Sequence, residues 1–217
     1  MKKQLSFSNI KLKDLRKVVA IKPITDETVF DKWFNFDYVI SKEETHFLRE
    51  LIANNQLRIA TYSEEELKMK FIAPLLNKID FTFAEVTDWY ERPISCQINE
   101  VNLGGTTDYL VAKGIDEPEL PYFFIQEFKP SRSNGFPEYQ LLAELLVALQ
   151  LNGEKQILGA YILGQLWIFM LLRKEGEQYY YYKSLGFNAL KEGDLMAIYR
   201  TLQGVRASVL EKVKNEL

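Results

Sequence analysis

Two runs leave this chain little choice but to form a β-hairpin: Gly104-Gly105-Thr106-Thr107-Asp108-Tyr109-Leu110-Val111-Ala112-Lys113, and Tyr122-Phe123-Phe124-Ile125-Gln126-Glu127-Phe128-Lys129-Pro130. Both are dominated by apolar and aromatic residues and bounded by turn formers, which is the pattern of strands. Gly114 to Pro121 between them contains two prolines and a glycine, so it cannot continue either strand. Folding about the middle of that loop sets Asp108 roughly opposite Gln126 or Glu127. Side chains alternate along a strand, so Glu127 and Lys129 share a face and Phe128 enters the opposite layer. Two carboxylates and an ammonium therefore converge on one patch of sheet. Those residue types suit a Mg²⁺ site, because that cation takes one or two carboxylates and keeps several waters.

Composition narrows the context. At 217 residues the chain suits one compact unit, with residues 1–62 forming an extension (a strand and a helix) on an α/β domain of residues 63–217. A hydrophobic content of 47% is ample for a core, and 26% charged residues is ordinary for a globular protein. The one cysteine, Cys96, excludes an internal disulfide framework and is expected to be a small buried residue. The one histidine, His46, is expected to be structural. Met1 to Ser6 has charge but no apolar run behind it, so no signal peptide is expected. Gln156 to Leu172 is apolar but broken by Gly159, Gly164 and Gln165, which makes it a hairpin rather than a membrane span. A cytoplasmic protein without a membrane partner is the expectation. The net charge of −3 gives no global attraction to nucleic acid, so any phosphate binding must come from a local patch.

Around the hairpin, helix signals are clear. Ser41-Lys42-Glu43-Glu44 is a capping box for a helix to about Ala53, ended by Asn54-Asn55. Ser63-Glu64-Glu65-Glu66 is a second one, for a helix to about Lys78, on which Glu64, Leu67, Phe71 and Leu75 share a face. Three glutamates there also suit the positive end of the helix dipole. Pro137 opens a leucine-rich helix to about Leu151, ended by Asn152-Gly153, with Gln140 in its first turn. Residues 17–22 form a short strand ended by Pro23. Residues 81–102 hold one or two more strands, with Pro93 limiting one end. Runs 157–163, 166–173 and 178–184 are strands, and a helix from Ala189 to about Val213 closes the chain. Trp33, Phe34, Phe36 and Tyr38 are a core or lid cluster over the sheet. The Tyr179 to Tyr182 run packs both faces of its strand; the alternative use is base stacking.

Asp108, Glu127-Phe128-Lys129 and the two flanking helices, over roughly residues 63–185, resemble the PD-(D/E)XK (restriction-endonuclease-like) nucleases. The pattern is most similar to the N-terminal nuclease regions of type I restriction subunits. Thr107 stands where that family often has proline, and a second Glu-x-Lys triplet, Glu66-Leu67-Lys68, lies on a helix rather than a strand. The resemblance implies a mixed α/β sheet flanked by helices and a deoxyribonuclease activity. Asp108 and Glu127 would hold Mg²⁺ or Mn²⁺, and Lys129 would assist catalysis. A helix glutamate, best matched by Glu64, would face the site, and Gln140 would contact site or substrate. Capping for Glu64 and plain solvation for Gln140 remain open. DNA is the expected partner, with a homodimer left open because two sites cut two strands. The competing reading is a fold that keeps the residues without turnover and acts as a binding or regulatory module. A small-molecule hydrolase lacks a nucleophile motif such as Gly-x-Ser-x-Gly.

Overall fold

The computed structural model describes residues 3–133 and 136–216. In chain order the elements are β1 (Lys3–Ser6), α1 (Leu12–Leu15), β2 (Ala20–Ile24), α2 (Asp31–Phe34), α3 (Lys42–Asn55), α4 (Glu64–Leu67) and α5 (Ala73–Ile79). Then come β3 (Val86–Ile98), β4 (Val101–Lys113), β5 (Glu119–Lys129), α6 (Pro137–Asn152), β6 (Gln156–Leu163), β7 (Leu166–Glu175), β8 (Gln178–Lys183), β9 (Phe187–Asn188) and α7 (Glu192–Glu216). The strands make one mixed sheet in the order β1-β4-β5-β6-β7-β8-β2, with β3 also on β4 and β9 also on β7. β1/β4, β5/β6 and β2/β8 are parallel; the β3/β4, β4/β5, β6/β7 and β7/β8 pairs are antiparallel.

β1 and β2 lie at opposite ends of that order yet are joined by only residues 7–19. The sheet therefore curls. Arg16 to Ala20 line a single cleft with Gln97 to Asn99 from the β3–β4 turn and Lys174, Glu177 and Tyr179 from the β7–β8 hairpin. Asn99 Nδ2 donates to Val18 O at 2.8 Å across that junction. Inside the curl lies α6, whose residues Leu141 to Leu149 are buried on every side. A helix that is apolar all round has to be enclosed, and this one is. Leu110, Ala112, Ile125, Met170 and Tyr181 cover it from the sheet, and Phe7, Ile10, Leu15 and Val18 from the N-terminal strap. Truncating a side chain at its centre, such as Leu145, would cost about 2–5 kcal/mol. The outer face carries Tyr109, Val111, Phe124, Phe128, Ile162 and Phe169 under α2, α3, α5 and α7. Tyr179 and Tyr181 pack inward and Tyr182 outward, as alternation requires.

Several boundaries differ from the sequence expectation. Residues 86–98 are one strand that runs through Pro93 instead of ending there; β3 is paired on one side only, so a missing N–H is tolerated. Pro23 likewise lies inside β2, another edge strand, which covers 20–24 instead of 17–22. Phe81 and Phe83 precede the strand, apart from an isolated bridge between Phe83 and Val86. Asn55 stays in α3, where its amide donates to Leu51 O and accepts from the Tyr62 hydroxyl. Between α4 and α5 the chain is π-helical over Lys68–Ile72. That wider turn ends two residues before Pro74, where a regular helix would lose a hydrogen bond and meet the ring. The last helix begins at Glu192, three residues after Ala189. Among the described residues no helix is long and apolar enough to cross a membrane.

Candidate active site

Strand β4 has more partners than edges. β3 pairs with it from Val101 to Lys113, so β1 and β5 must share the other edge. β1 takes Val101 to Gly104 and β5 takes Tyr109 to Lys113. Residues 105–108 form the fork between them. The Gly104-Gly105 pair makes the fork possible. A Cβ on Gly105 would lie 2.6 Å from the Phe7 ring, and one on Gly104 would lie 2.4 Å from Ser95 Cβ. Only bare backbone lets the strap leave β1 directly over β4.

Asp108 sits at the end of the fork. Tyr109 pairs with Gln126, and beyond that pair the β4–β5 ladder stops. The Phe128 N–H donates instead to Asp108 Oδ2 at 2.7 Å. On the β3 side, Glu91 opposite Asp108 drops out of the ladder with a φ of 53°. Such left-handed backbone at a non-glycine residue is strained, and strain of this kind gathers where strands are bent to expose a side chain.

Asp108, Glu127 and Lys129 all face the α6 side, and Phe128 faces the outer layer. Lys129 Nζ lies 2.8 Å from Glu127 Oε1, 3.3 Å from both oxygens of Glu64 and 4.0 Å from Asp108 Oδ2. The Glu127 contact is the shortest of the four, an ion pair with a carboxylate that has no exposed surface. Glu64 reaches the lysine from the outer layer, from the exposed end of the stripe formed by Leu67, Phe71 and Leu75. It is not the residue that closes the capping box: Glu66 does that, accepting from Ser63 N while Ser63 Oγ accepts from Glu66 N. Thr107 is fully buried and donates its hydroxyl to Arg92 O. Lys68, from the second Glu-x-Lys triplet, pairs with Glu91 and Glu65 beside the cluster.

Gln140 faces the same site from α6 and donates to Glu144 Oε1 at 3.4 Å. Glu144 was not singled out from sequence. It is fully buried behind Glu127, and its Oε2 has no partner. A signal existed: it is the one charged side chain in the run Leu141 to Leu149. A cleft of about 560 Å³ opens over Asp108, Lys129 and Gln140, walled by Ser8 to Lys11 of the strap, Thr106 and Phe136.

The electrostatics follow from burial and crowding. Burial first, and then the Asp108 charge, push the Glu127 carboxyl up to about 8 despite the lysine beside it. Burial, followed by the charges of Glu127 and Asp108, raises Glu144 well above the usual carboxylate range. For Lys129, burial opposes the charge, but the Glu127, Asp108 and Glu64 carboxylates outweigh it and hold the ammonium above the ordinary lysine range. The Cys96 thiol, half-buried elsewhere, is pushed up to about 11 by burial and is inert at neutral pH. Among the described residues no three His, Cys, Asp or Glu side chains form a set able to hold a metal by themselves. The acidic pair Asp108 and Glu127 is the donor set on offer. Two carboxylates crowded enough to raise the Glu127 pKa fit a cation that completes its shell with water.

No protein-family model matches this chain, and no curated protein is significantly similar to it.

Proposed function

We propose that this protein is a Mg²⁺- or Mn²⁺-dependent nuclease of the restriction-endonuclease-like type, hydrolysing phosphodiester bonds of DNA. The observation that carries the reading is the buried Glu127, crowded by Asp108 and paired with Lys129 beneath an open cleft that Asp108 and Lys129 line. Lys129 brings one positive charge to the Asp108 and Glu127 carboxylates, and a divalent cation would offset the charge that remains. Asp108 and Glu127 would hold the metal. When bound, the metal supplies a water of lowered pKa and offsets charge on the phosphate. Hydrolysis would join a water oxygen to phosphorus and release the ester oxygen as an alcohol, which takes up the proton that the water gives up. Lys129, held charged at all ordinary pH, is placed to offset charge growing on the phosphoryl oxygens. Glu64 and Gln140 steer that ammonium and the cleft wall, respectively.

One feature favours the second reading, a module that binds without cutting. Lys129 already has three carboxylates around it, an ion cluster that could serve the fold alone. Cleavage of plasmid and linear DNA with Mg²⁺ or Mn²⁺ decides between them. Wild type should cut, and Lys129→Ala should cut about 10²–10³ more slowly while still shifting DNA in a gel with Ca²⁺. Binding without cutting under any divalent metal would leave the second reading standing. If wild type neither binds nor cuts, nucleic acid is the wrong substrate class.

A further inference from the structure

The cleft has two features that the hydrolytic residues do not use. Phe136 lines it with 65% of its surface exposed, beside Tyr139 at a ring separation of 6.2 Å. The opposite wall is the strap, which continues from Lys11 into Lys-Leu-Lys-Asp-Leu-Arg-Lys over residues 11–17. Leu12 and Leu15 of this stretch pack toward α6, while Lys11, Lys13, Arg16 and Lys17 are exposed. Lys17 pairs with Asp14 at 3.5 Å; Lys11, Lys13 and Arg16 form no ion pair among the described residues. A chain of net charge −3 thus carries Lys11 on the wall of its candidate site and Lys13 next along the strap, whereas Arg16 lines the seam cleft with Asn99.

We propose that the cleft takes single-stranded DNA, with a base stacked on Phe136 and the flanking phosphates following Lys11 and Lys13. The inference rests on the nuclease reading for the position of the scissile phosphate and adds the substrate class. An exposed ring beside a phosphate site has a base face to stack on only where that base is unpaired, because a duplex keeps its faces internal. The unpaired cations supply the sequence-independent attraction that a backbone needs. The strap's geometry ties the two together. Gly105 lets Phe7 cross β4 at the fork, and that crossing carries Ser8 to Lys11 to the cleft wall opposite Phe136.

The test is fluorescence anisotropy with a short oligothymidylate and a blunt duplex of equal length, in Ca²⁺. Wild type should bind the single strand more tightly than the duplex. Phe136→Ala should weaken single-strand binding by about 5- to 100-fold, and Phe136→Tyr should restore it. Lys11→Ala with Lys13→Ala should lower the slope of log K against log salt by roughly 1.4, two contacts at about 0.7 each. All three side chains are exposed, so melting temperatures should not move. Equal affinity for duplex, or Phe136→Ala binding like wild type, overturns the proposal even if the protein cuts DNA. Single-strand binding that depends on Phe136 without cleavage under any metal keeps the proposal and defeats the nuclease reading. No binding of either probe defeats both.

Discussion

Glu44 and Glu127 are the same side chain placed in opposite circumstances. Glu44, in the first turn of α3, accepts from the Tyr38 hydroxyl at 2.6 Å, the Tyr199 hydroxyl at 2.8 Å and Ser41 N at 2.7 Å. Burial raises its pKa, but the Tyr38, Ser41 and Tyr199 donors outweigh burial and hold it at about 2. It binds α3, α7 and the chain before α3 together through three hydrogen bonds supplied from within. Glu127 is more deeply buried, has the Lys129 ammonium at 2.8 Å, and still stands at about 8 beside a second carboxylate. A carboxylate that serves the fold is completed by the fold. Glu127 keeps a raised pKa despite its lysine, the kind of perturbation that gathers at functional sites.

The contrast is broken most sharply through activity. Lys129→Ala should slow metal-dependent cleavage by about 10²–10³, whereas Glu44→Gln should leave the rate per folded molecule unchanged. Steady-state rates normalised to folded protein would show this, and a comparable loss in both variants would dissolve the distinction.

The pH dependence of stability comes next, and the two residues have opposite signs. Glu127 has a folded pKa of about 8, above its ordinary value of 4.5, so the folded state holds the extra proton between those values. Stability without metal should therefore fall as pH rises from about 4.5 to 8. Glu127→Gln should remove that fall, by on the order of 2 kcal/mol at pH 8 once the unpaired amide is counted. Urea melts across pH would reveal it, and a wild-type slope of the opposite sign there would contradict the assignment. Glu44 is depressed from 4.5 to about 2, so its contribution is complete above about 4.5 and is lost as pH falls through 2. Glu44→Gln should cost about 1.5 kcal/mol at neutral pH and almost nothing near pH 2.

A smaller effect tests the fork. Gly105→Ala places a methyl 2.6 Å from the Phe7 ring, which can shift only by moving the strap. Stability should drop by about 1–3 kcal/mol, as for overpacking elsewhere. Increased protease nicking near Ser8 to Lys11 should accompany the loss; nicking unchanged from wild type would mean that the ring gives way alone.

Much of this was legible because it is local. Both capping boxes, the Pro137 helix start and the Gly153 stop follow from short-range rules, and the structure places them at Ser41, Ser63 and the ends of α6. The meeting of Asp108, Glu127 and Lys129 on one face follows from strand alternation and one hairpin register. What sequence could not supply is long-range. Nothing in Lys3 to Ser6 says that it pairs with Val101 to Gly104, or that Ala20 to Ile24 pairs at the far edge with β8. The fork at Asp108 depends on that pairing. The interior prolines of β2 and β3 were misjudged because whether a strand is an edge is a property of the sheet. Glu144 is a milder case, since a lone charge inside an apolar helix signals a buried partner without saying which one.

In the proposed function Asp108 and Glu127 hold a divalent cation between them. Calorimetric titration of Mn²⁺ into metal-free protein at pH 8 tests it most directly. The account predicts saturable binding that Asp108→Asn abolishes, while Glu44→Gln binds as wild type does. At a free Mn²⁺ concentration of about 100 Kd the wild type should gain about 2.7 kcal/mol of stability, and Asp108→Asn none. Unaltered Mn²⁺ affinity in Asp108→Asn, or no binding by wild type, would contradict it.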